Sequence, residues 1–163
     1  MTTSLDLGCG STPRNPFNAS KLIGLDQFPV ADLQADLVWE PIPLDDNSVD
    51  YVTAYDFLEH LPRVLYFREG NKYPFIDVMS EVWRVLKPEG TFFSSTPAYP
   101  YAAAFQDPTH VNFVTPETFA EYFDDHKTWA RKYGFKGQFS IDKMLYEGPH
   151  LQVWMRKVLK NLA

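Results

Sequence analysis

Short apolar runs separated by polar, proline-bearing connections dominate the first two thirds of the chain. Ser4–Leu7, Leu22–Leu25, Leu33–Leu37, Val49–Ala54 and Thr91–Thr96 are each brief and largely apolar, the pattern of strands buried in a parallel sheet. The period changes at Phe75, Met79, Val82 and Leu86, which recur every three or four residues and predict an amphipathic helix; Lys87-Pro88-Glu89-Gly90 then stops it and turns the chain into the next strand. A second helix is predicted from Thr115 as N-cap, Pro116 in the first turn and Glu117 near the positive helix end, with Phe119, Tyr122, Phe123, Trp129 and Tyr133 following before Gly134. Those aromatics at helical spacing are core residues rather than a base-stacking surface. Phe139–Tyr146 and Leu151–Lys157, joined at Glu147-Gly148-Pro149-His150, predict a closing hairpin.

Helices are scarce in the first third. Ten residues separate Gly10 from Lys21 and include Pro13, Asn15, Pro16 and Asn18, which excludes a long helix there. The connections through Phe28-Pro29 and Pro41-Ile42-Pro43 are equally helix-poor. Phe67–Tyr73, with Arg68, Glu69, Gly70, Asn71 and Lys72, interrupts a helical region and suits either a lid over a small substrate or a surface excursion.

The chemistry begins where the first strand ends. Leu5-Asp6-Leu7-Gly8-Cys9-Gly10 breaks from apolar strand into two closely spaced glycines, where the missing side chains let the backbone turn sharply and approach a ligand. Asp26, closing Lys21-Leu-Ile-Gly-Leu-Asp, is an acid at the end of the next strand, suited to accept from both hydroxyls of a ribose. Together they describe a nucleoside site. A dinucleotide fingerprint needs a third glycine where Pro13 stands, and a phosphate loop ending in Gly-Lys-Ser/Thr is absent.

The succession Leu5-Asp6-Leu7-Gly8-Cys9-Gly10, Asp26, Asp36, Ser48-Val49-Asp50-Tyr51-Val52, Leu58-Glu59-His60-Leu61 and Glu81-Val82-Trp83-Arg84-Val85-Leu86-Lys87-Pro88-Glu89-Gly90 resembles the motifs of class I S-adenosylmethionine-dependent methyltransferases, in a compact form without N-terminal helices. The resemblance runs from about Leu5 to Phe123. It implies a Rossmann-like α/β fold: one domain with a mostly parallel seven-stranded sheet and a C-terminal antiparallel hairpin, helix-poor in its first third. It also implies S-adenosylmethionine as cofactor and S-adenosylhomocysteine as product. Asp6, Leu7, Gly8, Cys9 and Gly10 would line the methionine and ribose portion, with Asp6 serving the ammonium through a water. Asp26 would hold the ribose, Gln27 would flank the adenine, Asp36 would accept from its amino group, Leu37 would offer a backbone amide, and Ala54, Tyr55 and Asp56 would close the methionine end.

A sulfonium methyl is already electrophilic, so the enzyme's task is alignment and water exclusion. A hydroxyl acceptor gains from a base, and His60 after the fourth strand and His110 after the fifth are the candidates; the loop of His110 also carries Tyr99, Tyr101, Phe105 and Asp107. His60, His110 and Asp107 have no spacing that specifies a metal, so none is expected. Tyr55-Asp56-Phe57-Leu58 stands where methyltransferases of exocyclic base nitrogens commonly carry Asp/Asn-Pro-Pro-aromatic, which argues against that substrate. Aromatics near the mouth suit a small organic or sugar-like acceptor.

Length and composition agree with a single-domain enzyme. The 163 residues are 45% hydrophobic and 16% aromatic, which excludes a disordered chain. Neither a signal peptide nor a membrane span is expected, and the lone Cys9 fits a cytoplasmic protein. Residues 1–126 hold 19 acids and 7 bases, and residues 127–163 hold 2 acids and 8 bases. The acidic majority opposes a polyanion, so a nucleic-acid partner is disfavoured. With no covering helices in the first third, one sheet face is expected to be thinly covered, and a homodimer is expected to cover it. The competing expectation is a non-catalytic nucleoside-binding or scaffold subunit of a hetero-complex, since fold alone does not establish activity.

Overall fold

A computed structural model describes residues 1–159. In chain order its elements are β1 (Thr3–Leu7), β2 (Lys21–Asp26), β3 (Leu33–Gln34), β4 (Val49–Tyr55), β5 (Leu65–Phe67), β6 (Gly70–Lys72), α1 (Pro74–Val85), β7 (Leu86–Pro97), α2 (Ala103–Gln106), α3 (Pro116–Tyr122), β8 (Phe139–Glu147) and β9 (His150–Lys157), with single 3-10 turns at Leu58–His60 and Trp129–Tyr133. Seven strands form one sheet in the order β3-β2-β1-β4-β7-β9-β8. The first five of these pair in parallel, and β9 and β8 add antiparallel at the far edge. Strand order reverses between β1 and β4, so a crevice opens at the carboxyl ends of these strands, where α/β sheets receive ligands.

Register separates the two faces of the sheet. Leu5 lies opposite Ile23 and Val52, Val52 opposite Phe92, and Phe92 opposite Met155. All are buried, and they join Phe75, Met79 and Val82 of α1 in one apolar core. The other face presents Ser4, Asp6, Tyr51, Thr53, Tyr55, Phe93 and Trp154. Residues 11–20 form no helix and lie toward this face as irregular chain, with Phe17 stacked on Tyr51 at 4.4 Å. Tyr55, Phe93 and Trp154 continue as an aromatic row, with centroids 5.2 and 4.7 Å apart.

Four elements differ from the pattern-based expectation. The third strand, expected over Leu33–Leu37, stops at Gln34 because Asp36 organises a turn: its Oδ1 accepts from Val38 N (3.0 Å) and its carbonyl accepts from the amides of Trp39 and Glu40. Lys87–Gly90 is not a helix-to-strand loop. Leu86 already pairs with Val49, and Glu89 takes φ +64° in a bulge before Thr91 pairs with Tyr51. The second long helix breaks after Tyr122, where Asp124 competes for the chain: its Oδ1 accepts from His126 N and its Oδ2 from Ile141 N, and Thr128 turns left-handed before the 3-10 turn. The Phe67–Tyr73 segment forms half of the β5–β6 hairpin.

Candidate functional site

The end of β1 is a turn that only glycine fits. Gly8 has φ +62°, and a Cβ there would stand 2.5 Å from Phe57 Cδ2; its amide donates to Leu25 O (2.8 Å), drawing the turn across the end of β2. Gly10 has φ +56°, and its amide donates to Asp26 Oδ2 (2.9 Å). Asp26 Oδ1 accepts from Phe28 N (3.0 Å), so this buried carboxylate ties the glycine turn to the chain leaving β2. Asp6 faces inward: Oδ1 accepts from the Thr53 hydroxyl (2.6 Å) and Oδ2 from Arg14 N (2.7 Å), while burial raises its pKa.

Two cavities meet at this turn. One, of about 360 Å³, is lined by Gly8, Gly10, Leu25, Asp26, Gln27, Phe28, Ala35, Asp36, Leu37, Val38, Asp56, Phe57, His60 and Leu61. The other, of about 410 Å³, is lined by Asp6, Leu7, Gly8, Cys9, Gly10, Ser11, Thr12, Arg14, Tyr55 and Asp56. Gly8, Gly10 and Asp56 border both, so the two spaces share a wall at the switch point. Their sizes fall within the span of small-ligand sites. An aromatic cavity of about 300 Å³ beside Arg63, Tyr122 and Tyr133 shares no residue with them.

Most residues singled out in the sequence converge here, and two do not. Ala54 is fully buried among the apolar core residues and lines neither cavity. His60 borders the first cavity, but His110 packs behind it, with ring centroids 4.9 Å apart, and lines neither. The His110 side chain is 9% exposed and its Nδ1 lies 3.2 Å from Ala104 O. Glu59 is buried beside it, and burial pushes its carboxyl up to about 7.

At the shared wall, Asp56 takes φ +48°, and its Oδ1 lies 2.8 Å from His150 Nε2. A carboxylate only accepts, so the imidazole donates through Nε2 and keeps its Nδ1 lone pair. Arg14 approaches the same aspartate at 4.0 Å and lies 4.4 Å over the Tyr55 ring. Burial raises the Tyr55 phenol, holding it neutral. Burial also raises the Cys9 thiol to about 11, with the carboxylates of Asp6 and Asp26 adding to the effect.

The sequence matches the family described as "Methyltransferase domain" over residues 5–94, more than half of the chain. The chain belongs to that family. The matched region carries every strand that walls the two cavities. No curated protein matches the sequence. Solved structures share the fold at low identity. A methyltransferase complex with a methyltransferase activator from Haloferax volcanii aligns with a TM-score of 0.65 at 16% identity, over 97% of this chain and 83% of the other. A SAM-dependent methyltransferase from Archaeoglobus fulgidus aligns at 0.58 and 16%, over 96% and 86%. The [4+2]-cyclase SpnF aligns at 0.65 and 16%, over 98% and 75%. The last shows that this fold also carries other chemistry.

Four residues in or beside this methyltransferase domain's two cavities are not singled out by the sequence. Phe57 fills the space that a Gly8 side chain would need, and Arg14 reaches the site from the irregular segment after β1. Glu59 sits next to His60 in sequence, and only the fold shows it to be buried. His150 was legible only as a hairpin turn, because its partner Asp56 lies 94 positions away.

Proposed function

We propose that this chain transfers a methyl group from S-adenosylmethionine to a small organic or sugar-like acceptor and releases S-adenosylhomocysteine. The observation that carries this reading is the Gly8–Gly10 turn fastened to Asp26 at the junction of two ligand-sized cavities. The residues fit the cofactor. A Cβ on Gly10 would meet nothing within 4 Å, so the turn leaves open room at the cavity wall. Each Asp26 oxygen accepts one amide, which leaves a lone pair on each for a pair of ribose hydroxyls. Gln27, Phe28, Asp36 and Leu37 would enclose the adenine, and Asp6 to Gly10 with Tyr55 and Asp56 would flank the methionine portion.

When bound, the cofactor supplies an electrophilic methyl that needs no further activation. The protein's work is to hold the acceptor in line, at roughly 3–3.5 Å, and to exclude water. Where the acceptor is a hydroxyl, His60, the imidazole on the cavity wall, takes its proton, and His150 steadies Asp56 of the shared wall through Nε2. His110 packs behind His60, with ring centroids 4.9 Å apart, and supports it.

A cytoplasmic setting is part of the proposal, supported by the single free cysteine; among the described residues no helix is long and apolar enough to cross a membrane. Pairing of two copies across the helix-less face, through Tyr51, Tyr55 and Trp154, is part of the same proposal, and a monomeric mass by light scattering at micromolar concentration removes it. Calorimetric titration with S-adenosylmethionine and S-adenosylhomocysteine, with Asp26→Ala as control, tests the central reading. Saturable binding weakened by the substitution supports it. A folded protein that binds neither ligand overturns it in favour of a scaffold subunit.

A further inference from the structure

Two segments beyond the sheet's carboxyl edge meet at three side chains that methyl transfer leaves partly unexplained. Glu59 and His60 lie in the 3-10 turn after β4, and His110 lies in the segment after α2. Their backbones are clamped together: the amides of Val111 and Asn112 donate to Glu59 O at 2.8 and 2.9 Å, and Asn112 Nδ2 donates to Leu58 O at 2.9 Å. Within this clamp Glu59 is 1% exposed, and neither of its carboxylate oxygens has a hydrogen-bond partner. Buried acceptors with no donor are rare and costly, and each calls for a missing partner. That partner must carry positive charge or protons into a closed space.

The hydrogen bonds of the two imidazoles narrow the choice. Ala104 O can only accept, so His110 Nδ1, 3.2 Å away, carries the proton and Nε2 keeps the lone pair. The Thr109 hydroxyl gives its one proton to Asp107 Oδ1 at 2.7 Å, so toward His60 Nδ1, 3.1 Å away, it must accept. His60 is thereby also fixed with its lone pair on Nε2. Imidazoles held through Nδ1–H by a carbonyl, and by a hydroxyl backed by a carboxylate, have the outer-shell arrangement of metal-ligating histidines. Glu59, His60 and His110 each offer a ligand atom within 4.8 Å of the others, and His110 Nε2 stands 4.0 Å from Glu59 Oε1. Bonds of about 2.0–2.2 Å place ligand atoms up to about 4.4 Å apart, so small side-chain rotations complete the set.

We propose that Glu59, His60 and His110 bind one divalent transition-metal cation of the zinc or manganese class. Two imidazoles and one carboxylate suit such an ion better than magnesium or calcium, which prefer all-oxygen shells. Three protein ligands leave room in the coordination sphere, and His60 also borders the cavity shared with Gly8 and Asp26. An ion held there can therefore take an oxygen of an acceptor as a further ligand. That consequence rests on the methyl-transfer reading; ion binding itself does not.

The test is calorimetric titration of the chelator-treated chain with Zn²⁺ and with Mn²⁺, in the absence of S-adenosylmethionine. Wild type is compared with Glu59→Gln, His110→Ala, His126→Ala and Asp26→Ala. The second grouping of possible ligands, Asp124, Asp125 and His126, makes His126→Ala the control for adventitious surface binding. The expected result is one ion per chain that raises the melting temperature. Affinity should fall about 10-fold or more in Glu59→Gln and His110→Ala and stay unchanged in His126→Ala and Asp26→Ala. Thr109→Val, which removes the acceptor of His60 Nδ1–H, should weaken binding in the same direction. Wild type that binds neither ion at one equivalent overturns the proposal, whether or not the variants fold. So does binding that survives Glu59→Gln and His110→Ala but is lost in His126→Ala. Because the Asp26→Ala protein should hold the ion while losing S-adenosylmethionine, failure of one reading is distinguishable from failure of the other.

Discussion

The Asp26 carboxylate accepts the Gly10 amide at 2.9 Å, so the acid proposed to hold a ribose also builds the turn beside it. Its other oxygen holds Phe28 N at 3.0 Å. Asp26→Ala should therefore act on stability and on binding together. Amide bonds to a charged acceptor contribute about 1.5–3 kcal/mol each, so removing the two is expected to cost about 3–6 kcal/mol in urea unfolding. The dissociation constant for S-adenosylhomocysteine should rise more than about 10-fold. Asp26→Asn, which keeps an acceptor and the shape, should recover stability more fully than affinity. Equal recovery of both would show that the turn alone matters.

Gly8→Ala meets two separate obstacles, a left-handed backbone at φ +62° and a contact of 2.5 Å with Phe57 Cδ2. The combined cost is expected at about 2–4 kcal/mol. Phe57→Ala in the same chain should relieve the clash but leave the backbone strain of about 1–2 kcal/mol. A double-mutant cycle by chemical denaturation separates them, and additive costs would show that Phe57 gives way without resistance.

The legible parts of this fold are those governed by local pattern. Leu22–Leu25 is a continuous apolar run, Val49–Ala54 is largely apolar, and Thr115-Pro116-Glu117 signs a helix start regardless of context. What escaped depends on long-range hydrogen bonds. Asp124 breaks the expected helix because Ile141 N, 17 positions away, needs an acceptor, and Asp36 truncates β3 by closing a turn on Val38. The site divides in the same way. Gly8, Gly10 and Asp26 could be read from one strand–turn–strand stretch, whereas His150 meets Asp56, and Glu59 meets His110, only through the folded sheet.

Cys9 supplies a pH prediction. Burial, then the carboxylates of Asp6 and Asp26, raise its thiol to about 11, above the ordinary value near 8.5. The folded state thus holds the thiol proton more tightly than the unfolded chain. Its contribution to stability is fully present below the unfolded pKa and is lost as pH rises toward about 11. Wild type should lose stability between about pH 9 and 11 relative to Cys9→Ser. At pH 8 iodoacetamide should alkylate the folded protein on the order of 100-fold more slowly than the urea-unfolded chain. Comparable rates in the two states would place a thiolate in the folded site.

Arg84 joins the helix layer to the wall of the proposed adenine end. From α1 its guanidinium donates to Ile42 O and Leu44 O at 2.8 Å each, and to both oxygens of Glu81 at 2.9 and 2.7 Å. The pair with Glu81 raises its pKa, and Glu81 itself accepts from Ile42 N at 3.0 Å. One planar fork thus fixes the segment that follows Asp36 and Leu37, in place of regular secondary structure. Arg84→Met would strand two carbonyls and a half-buried carboxylate, an expected loss of about 2–4 kcal/mol in urea unfolding. Arg84→Lys should recover less than half, since an ammonium cannot reproduce the bidentate geometry. The dissociation constant for S-adenosylhomocysteine should rise only a few-fold in either variant, because Arg84 borders neither cavity of the proposed site and acts through the segment it anchors. A loss of affinity as large as that of Asp26→Ala would instead mean that the adenine end is built by this segment as much as by the glycine turn.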